Sequence, residues 1–175
     1  MDGLIARIKA RIADPVRAVD AANWVCPMPT VAPPARAAEV DAAELALGFA
    51  VPPLLRRLYT EVGNGGFGPR YGLEGVPTLP RVPGASDIVA LYEMYCCERP
   101  LGHPAHRWPR GWVPLIGGGC LCVECVDFLR PPHAVAMFDG NDHDWGRAAV
   151  ESFKPIAVSL EARLERWLGV AERSK

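Results

Sequence analysis

Residues 54–69 read LLRRLYTEVGNGGFGP, and this stretch carries the strongest fold signal in the chain. Its first half places Leu54, Leu55, Leu58 and Val62 at the spacing of one apolar helix face. Its second half holds four glycines within residues 63–68, which is incompatible with regular structure. We therefore predict a helix that ends in a sharp bend, since glycine readily adopts the positive φ found at helix ends. The residues of this bend are Gly63, Asn64, Gly65, Gly66, Phe67, Gly68 and Pro69.

The same glycines also spell G-x-G-x-x-G, the pattern of a dinucleotide-binding loop. In that loop the glycines follow a strand and open a helix whose N-terminus holds the pyrophosphate. Here they follow a predicted helix, Pro69 comes directly after them, and no Walker lysine is present. The context therefore favours a structural bend over a phosphate cradle.

The flanking segments predict helices before a sheet. Upstream, an apolar stripe predicts a helix over residues 4–12 and another over 37–47, with Gly48 as its stop and Pro52-Pro53 opening the next. Between these helices, four prolines make residues 23–36 an ordered loop or tether. Downstream, Ser86 is the expected cap of a helix through residue 95, and Ser159 begins a closing helix. The strand candidates are residues 112–116, 121–128 and 134–138, with a further extended segment at 150–157 and with Gly117, Gly118 and Gly119 as a separator.

This order predicts an α+β domain: N-terminal helices, a small, mostly antiparallel central sheet and a closing C-terminal helix. We assign residues 1–36 to a helix and Pro-rich extension packed on the domain, 37–170 to the domain itself, and 171–175 to a tail. The five tryptophans are expected in the core or at its rim, at Trp24, Trp108, Trp112, Trp145 and Trp167.

Composition narrows the classes of function. The 175 residues are 50% hydrophobic with a net charge of −1, so no basic excess points to nucleic acid. The longest apolar candidate, residues 45–55, is interrupted by Gly48 and two prolines, which disfavours a membrane span. The first residues mix charges with apolar side chains, unlike a signal peptide. We therefore expect a cytoplasmic protein whose six cysteines are reduced thiols.

The cysteines, histidines and serines do not match a known metal-binding or catalytic pattern. Cys120, Cys122 and Cys125 precede His133, but structural zinc normally uses paired C-x2-C or H-x3-5-H spacings. The four serines include no G-x-S-x-G elbow. A Cys–His pair could form, but the sequence selects none among the six cysteines and His103, His106, His133 and His143. We therefore predict no metal, no cofactor and no catalytic residue.

Residues 139–145, DGNDHDW, form the densest polar cluster. They fail as a calcium loop in both registers, because the required glycine and glutamate are missing. Two interpretations remain: a solvated turn between strands, or an acidic recognition loop with Trp145 as its anchor. The residues of the second interpretation are Asp139, Asn141, Asp142, His143, Asp144 and Trp145.

Several of these segments, in order, resemble the SUKH superfamily, which contains bacterial immunity proteins and fungal cell-wall-synthesis regulators. The G-N-G-G-F-G-P bend carries most of the resemblance. The E-x-x-L-G entry at 44–48, the W-P-x-G-W-V-P-L-I strand at 108–116, the Gly119-Cys120 strand and the closing helix at 159–168 extend it. The resemblance covers residues 37–168 and implies a non-catalytic α+β domain.

The resemblance also implies a role. It suggests an intracellular immunity protein that neutralises a bacterial toxin domain by covering its active site. A regulatory or scaffold interaction module is the alternative, and a zinc-binding or thiol enzyme is a third reading.

Overall fold

The computed structural model describes residues 1–20, 30–79, 86–96 and 107–172. The residues outside these ranges include Trp24, Cys97, His103 and His106. Part of the Pro-rich segment, with Pro27 and Pro29, also lies outside them.

The prediction of an α+β fold is confirmed. The α-helices are α1 (Asp2–Ile12), α2 (Ala37–Leu47), α3 (Pro53–Glu61), α4 (Ile88–Cys96) and α5 (Leu160–Glu172). Two short 3-10 helices lie at Pro15–Arg17 and Ala149–Ser152. The strands are β1 (Trp112–Gly119), β2 (Cys122–Asp127), β3 (Val135–Asp139) and β4 (Lys154–Ala157).

Local sequence signals set several helix boundaries as expected. Helix α2 ends at Gly48, which adopts the left-handed conformation at φ 76°. Helix α3 begins at Pro53, a position where the missing amide costs nothing. The Ser159 hydroxyl accepts a hydrogen bond from the Ala162 amide at 3.0 Å and so caps α5.

Four boundary predictions were wrong. Asp87, not Ser86, caps α4, because its carboxylate accepts the amides of Val89 and Ala90 at 2.9 and 2.8 Å. Residues 117–119 belong to β1, where a register shift at Gly118 keeps Gly117 and Gly119 paired with β2. Residues 149–152 form a 3-10 turn before β4 starts. The supposed tail begins inside α5, which continues to Glu172.

The sheet is an antiparallel meander in the order β1-β2-β3-β4. Alternation along β2 sends Val126 into the main core, which is shared with the helices, and sends Val123 and Cys125 to the opposite face. There they join a smaller cluster with Tyr95 and Phe138, against which Trp108, Trp112, Trp145 and Phe153 pack. The sheet therefore has apolar contacts on both faces.

The two outer strands differ in how they are covered. The outer edge of β1 receives hydrogen bonds from the chain after the glycine bend: Glu74 N donates to Leu115 O at 2.8 Å, and Tyr71 N to Gly117 O at 3.3 Å. Strand β4 pairs with β3 and, within the described ranges, with no second strand, so its outer edge is unpaired. Pro155 lies within this edge strand, where the absent N–H removes one potential donor.

Helix α1 is fixed to the closing helix by a buried arginine. Arg11 donates to the Trp167 carbonyl at 2.7 Å, and its guanidinium carbon lies 4.2 Å from the centre of the Trp167 ring. Leu4, Ile5 and Ile8 of the same helix are buried in the main core, as the sequence stripe predicts.

Candidate functional site

The glycine bend follows α3 as predicted. Gly65, Gly66 and Gly68 all have positive φ, and Phe67 between them is fully buried. A Cβ added to Gly65 would lie 2.7 Å from the Leu73 carbonyl oxygen. A Cβ added to Gly66 would collide with the Thr30 carbonyl group. Glycine is required here because other backbone segments pack directly against these Cα atoms.

The amides of the bend are used internally. Gly66 N donates to Leu73 O at 2.9 Å, and Gly68 N donates to Ala18 O at 2.7 Å. The Asn64 side chain exchanges two hydrogen bonds with the backbone of Val76, at 2.7 and 2.9 Å. Pro69 is buried at the exit of the bend. Amides already bonded to carbonyls cannot cradle a phosphate, so the bend acts as a structural element.

A more accessible arrangement lies at the end of the sheet where β1 meets β2. The connecting turn uses positive φ at Gly119, Cys120 and Leu121. The loop after β3 bonds to it: Gly140 N donates to Leu121 O at 3.1 Å, and the Asn141 side-chain amide donates to Cys120 O. Two turns distant in sequence are thus fixed side by side. We call the exposed face that they share the paired-turn surface, formed by Cys120, Leu121, Asp139, Asn141, Asp142, Asp144 and Trp145.

Three carboxylates give this surface its acidic character. Asp139 accepts hydrogen bonds from the amide and the side chain of Asn141 at 3.0 and 2.9 Å, and these bonds lower its pKa. Asp142 is exposed and pairs with Lys154 at 3.3 Å. Asp144 is exposed and accepts the Gly146 amide at 2.9 Å. The lowered pKa means that Asp139 keeps its charge in more acidic solution than an ordinary aspartate does.

Two apolar side chains flank Gly140 beside the carboxylates. Leu121 is 55% exposed, so its side chain is accessible to a partner. A Cβ on Gly140 would lie 3.1 Å from the Leu121 Cβ and 3.4 Å from the Trp145 ring. The Trp145 ring is only partly buried and contacts Phe138 edge-on at a centroid distance of 6.2 Å. The indole is therefore packed against the smaller cluster and remains partly accessible to solvent.

His143 supports the loop from within. It is 5% exposed, its Nδ1 lies 2.8 Å from the Ser152 hydroxyl, and its ring is 5.0 Å from that of Phe138. Burial lowers the pKa of His143, with Asp144 and Glu151 opposing that effect in part. Of the six residues predicted for a recognition loop, His143 is thus the one that faces the core, and the other five border solvent.

The cysteines and His133 have separate positions. Cys120 is exposed in the turn, Cys122 is partly buried, and Cys125 is fully buried in the smaller cluster. His133 lies towards the other end of the sheet, with Nδ1 3.0 Å from the Asp127 carbonyl oxygen. Burial raises the pKa of the Cys125 thiol well above its usual value, which keeps it protonated. Within the described ranges, no three His, Cys, Asp or Glu residues are arranged to hold a metal ion.

Sequence reasoning missed an ionic cluster on the main-core face of the sheet. Glu124 of β2 is 1% exposed and accepts hydrogen bonds from Arg163 of α5 and from Arg70. The signal was available, because a glutamate inside the apolar run of residues 121–128 must be paired if it is buried. The cluster joins the glycine bend, the sheet and the last helix, so we assign it a structural role.

In comparisons with known proteins, no protein-family model and no curated protein matches the chain. In the part of the chain that the structure covers, no helix has the length and apolar character needed to cross a bilayer.

Proposed function

We propose that this chain is a protein-binding domain and that the paired-turn surface contacts its partner. The observation that carries the proposal is the fixed pairing of two turns, which places Leu121 and Trp145 beside three aspartates. Following the resemblance to SUKH immunity proteins, the partner is a bacterial toxin domain whose active site the surface covers.

The composition of the surface supports this role. Protein interfaces favour an aromatic or aliphatic anchor at their centre and polar groups at their rim. Here Trp145 and Leu121 supply the centre, and Asp139, Asp142 and Asp144 supply an acidic rim. An acidic rim speeds association with a basic partner and discriminates against acidic ones.

Preorganisation supports it further. The Asn141–Cys120 and Gly140–Leu121 hydrogen bonds fix the loop before any partner arrives. His143 and Phe138 hold Trp145 from below. Less conformational entropy is then lost on binding, which favours high affinity.

Growth rescue tests the role. The chain is co-expressed with a secreted toxin encoded beside its gene, and rescue by the wild-type chain is expected. Absence of rescue by a well-expressed wild-type chain would refute the immunity role.

The site has its own test. Leu121→Ala should weaken binding to the purified toxin by at least tenfold, the loss expected of an interface hot spot. Leu45→Ala is the matched control, because Leu45 is 85% exposed on α2 outside the paired-turn surface. Equal affinities for the two variants would place the interface elsewhere while leaving the immunity role standing.

A further inference from the structure

An apolar groove lies beside β4, towards the opposite end of the sheet from the paired-turn surface. Its volume is about 550 Å³, and its walls include Trp112, Ala136, Phe153, Pro155 and Ile156. Binding sites for small molecules typically enclose roughly 300–1,000 Å³ and are lined mainly by apolar side chains. The groove therefore has the size and the lining of a ligand site.

Exposed apolar side chains extend the groove at its mouth. Val158 is 76% exposed and Val150 is 52% exposed, and both line it. These two side chains give an apolar ligand further surface to contact at the mouth of the groove.

The free edge of β4 is poorly suited to an added peptide strand. The strand is four residues long, and Pro155 within it has no N–H to donate. Strand addition takes its affinity from main-chain hydrogen bonds, which such an edge supplies weakly. An occupant that needs no backbone hydrogen bonds fits the groove better than an extended peptide does.

Among the described residues that line the groove, Arg166 is the one cation. Arg166 of α5 lines the groove, is exposed, and donates one hydrogen bond to the Ile156 carbonyl at 3.1 Å. No ion pair joins it to another described residue, which leaves guanidinium N–H donors available to a ligand. The guanidinium geometry matches a carboxylate, which can accept two parallel hydrogen bonds.

From these features we propose that the groove binds an amphipathic carboxylate with one apolar chain, of the fatty-acid class. The apolar tail of the ligand lies along Trp112, Phe153 and Ile156, and its carboxylate pairs with Arg166. This site is separate from the paired-turn surface, and it does not depend on the proposed toxin partner.

Titration of the full chain with octanoate, decanoate and dodecanoate, each below its micellar concentration, tests the proposal by calorimetry and amide NMR. Affinity should rise with chain length, by at most about fourfold per added CH₂. The largest NMR shifts should fall on residues 134–136, 150–154, 156–158 and 162. Failure of dodecanoate to saturate these shifts would overturn the proposal.

Variants of the protein distinguish the contribution of the ligand's apolar tail from that of its carboxylate head group. Arg166→Gln should weaken dodecanoate binding roughly tenfold and leave dodecanol binding unchanged, since only the carboxylate loses its partner. Arg7→Gln on α1 is the charge-matched control and should bind dodecanoate like the wild type. Ala162→Phe should block both ligands by filling the groove. Val158→Glu should repel dodecanoate selectively, and its exposed position keeps the fold intact.

Other occupants give distinct results. Unliganded protein that sediments as a dimer, with Ala162→Phe monomeric, would assign the groove to a second copy and overturn the proposal. If Arg166→Gln and Arg7→Gln weakened dodecanoate binding equally, Arg166 would not be the specific partner of the carboxylate. That result would also overturn the proposal.

Discussion

Arg163 holds both carboxylate oxygens of Glu124, donating from Nε at 2.8 Å and from Nη2 at 2.9 Å. Arg70 donates a third hydrogen bond to the same carboxylate at 2.8 Å. A buried ion pair is not by itself strongly stabilising, but removing one partner leaves a charge that water cannot reach. The last helix and the central sheet are therefore joined by an interaction that tolerates loss of neither partner alone.

Replacing Arg163 by methionine should destabilise the fold substantially. We expect the free energy of unfolding to fall by about 3–5 kcal/mol, because Glu124 would stay buried with only Arg70 beside it. Chemical denaturation monitored by circular dichroism measures the change.

The matched control is Arg166→Met, the same substitution one turn later on α5. Arg166 is exposed, so its loss should change stability by no more than about 0.5 kcal/mol. Equal effects at the two positions would contradict the role assigned to the Glu124 cluster.

Gly66 should not accept even one extra carbon. Gly66→Ala would impose a side chain at φ 79° and drive its Cβ into the Thr30 carbonyl group. We expect a loss of roughly 2 kcal/mol or more, read from the thermal midpoint. Gly169→Ala on α5 is the control: its added Cβ meets nothing within 4 Å, and removing a helical glycine should stabilise by about 0.5–1 kcal/mol. An unchanged thermal midpoint in Gly66→Ala would mean that the bend can widen to accept the added carbon.

Mild acid should destabilise the loop that carries Trp145. The pKa of His143 is lowered in the folded chain from its ordinary value of 6.5, so the unfolded chain binds the proton more readily. Stability is then complete above about pH 6.5 and falls as the pH drops through the folded pKa. The free energy of unfolding, measured at intervals between about pH 7.5 and pH 5, should decline less steeply in His143→Gln than in the wild type. Parallel profiles would show that His143 does not couple folding to protonation.

Glu39 should contribute stability that only stronger acid removes. Its carboxylate accepts the Arg36 side chain at 2.8 Å, the Arg36 amide at 2.8 Å and the Leu79 amide at 3.1 Å, and these bonds lower its pKa to about 2. The contribution is present above the ordinary pKa of 4.5 and is lost as the pH falls through about 2. Glu39→Gln should therefore cost about 1.5–3 kcal/mol at neutral pH.

Urea titrations at neutral pH and at about pH 3 provide the measurement for Glu39, and the difference from the wild type should shrink in acid. Glu161→Gln is the control, at an exposed position in the first turn of α5. A difference that grows in acid would show that the sign of this coupling is wrong.

Sequence patterns with a local cause predicted their structures well. Gly48 ends α2 and Pro53 starts α3 because each residue restricts or frees its own backbone. Asp87, not Ser86, caps α4. Serine and aspartate cap helices about equally well, so the sequence alone does not show which of two adjacent residues directly precedes the first helical turn. The glycines at 117–119 stayed in β1 because cross-strand bonds outweighed their low strand propensity.

Features with a non-local cause escaped prediction. The acidic loop of residues 139–145 was visible in the sequence, but its pairing with Leu121 depends on two hydrogen bonds across the end of the sheet. Arg70 and Arg163 are 93 residues apart, and their meeting at Glu124 depends on the whole topology. The inward turn of His143 has no signal in its neighbours, which are polar on both sides.

Pro155 has a consequence for the behaviour of concentrated protein. The outermost strand lies next to exposed Val150 and Val158, a combination that favours growth of one sheet onto another. Pro155 has no N–H to donate at the second position of this strand, which weakens edge-to-edge pairing between copies. Replacing it with valine would add that donor, so we expect Pro155→Val to aggregate faster than the wild type in concentrated solution.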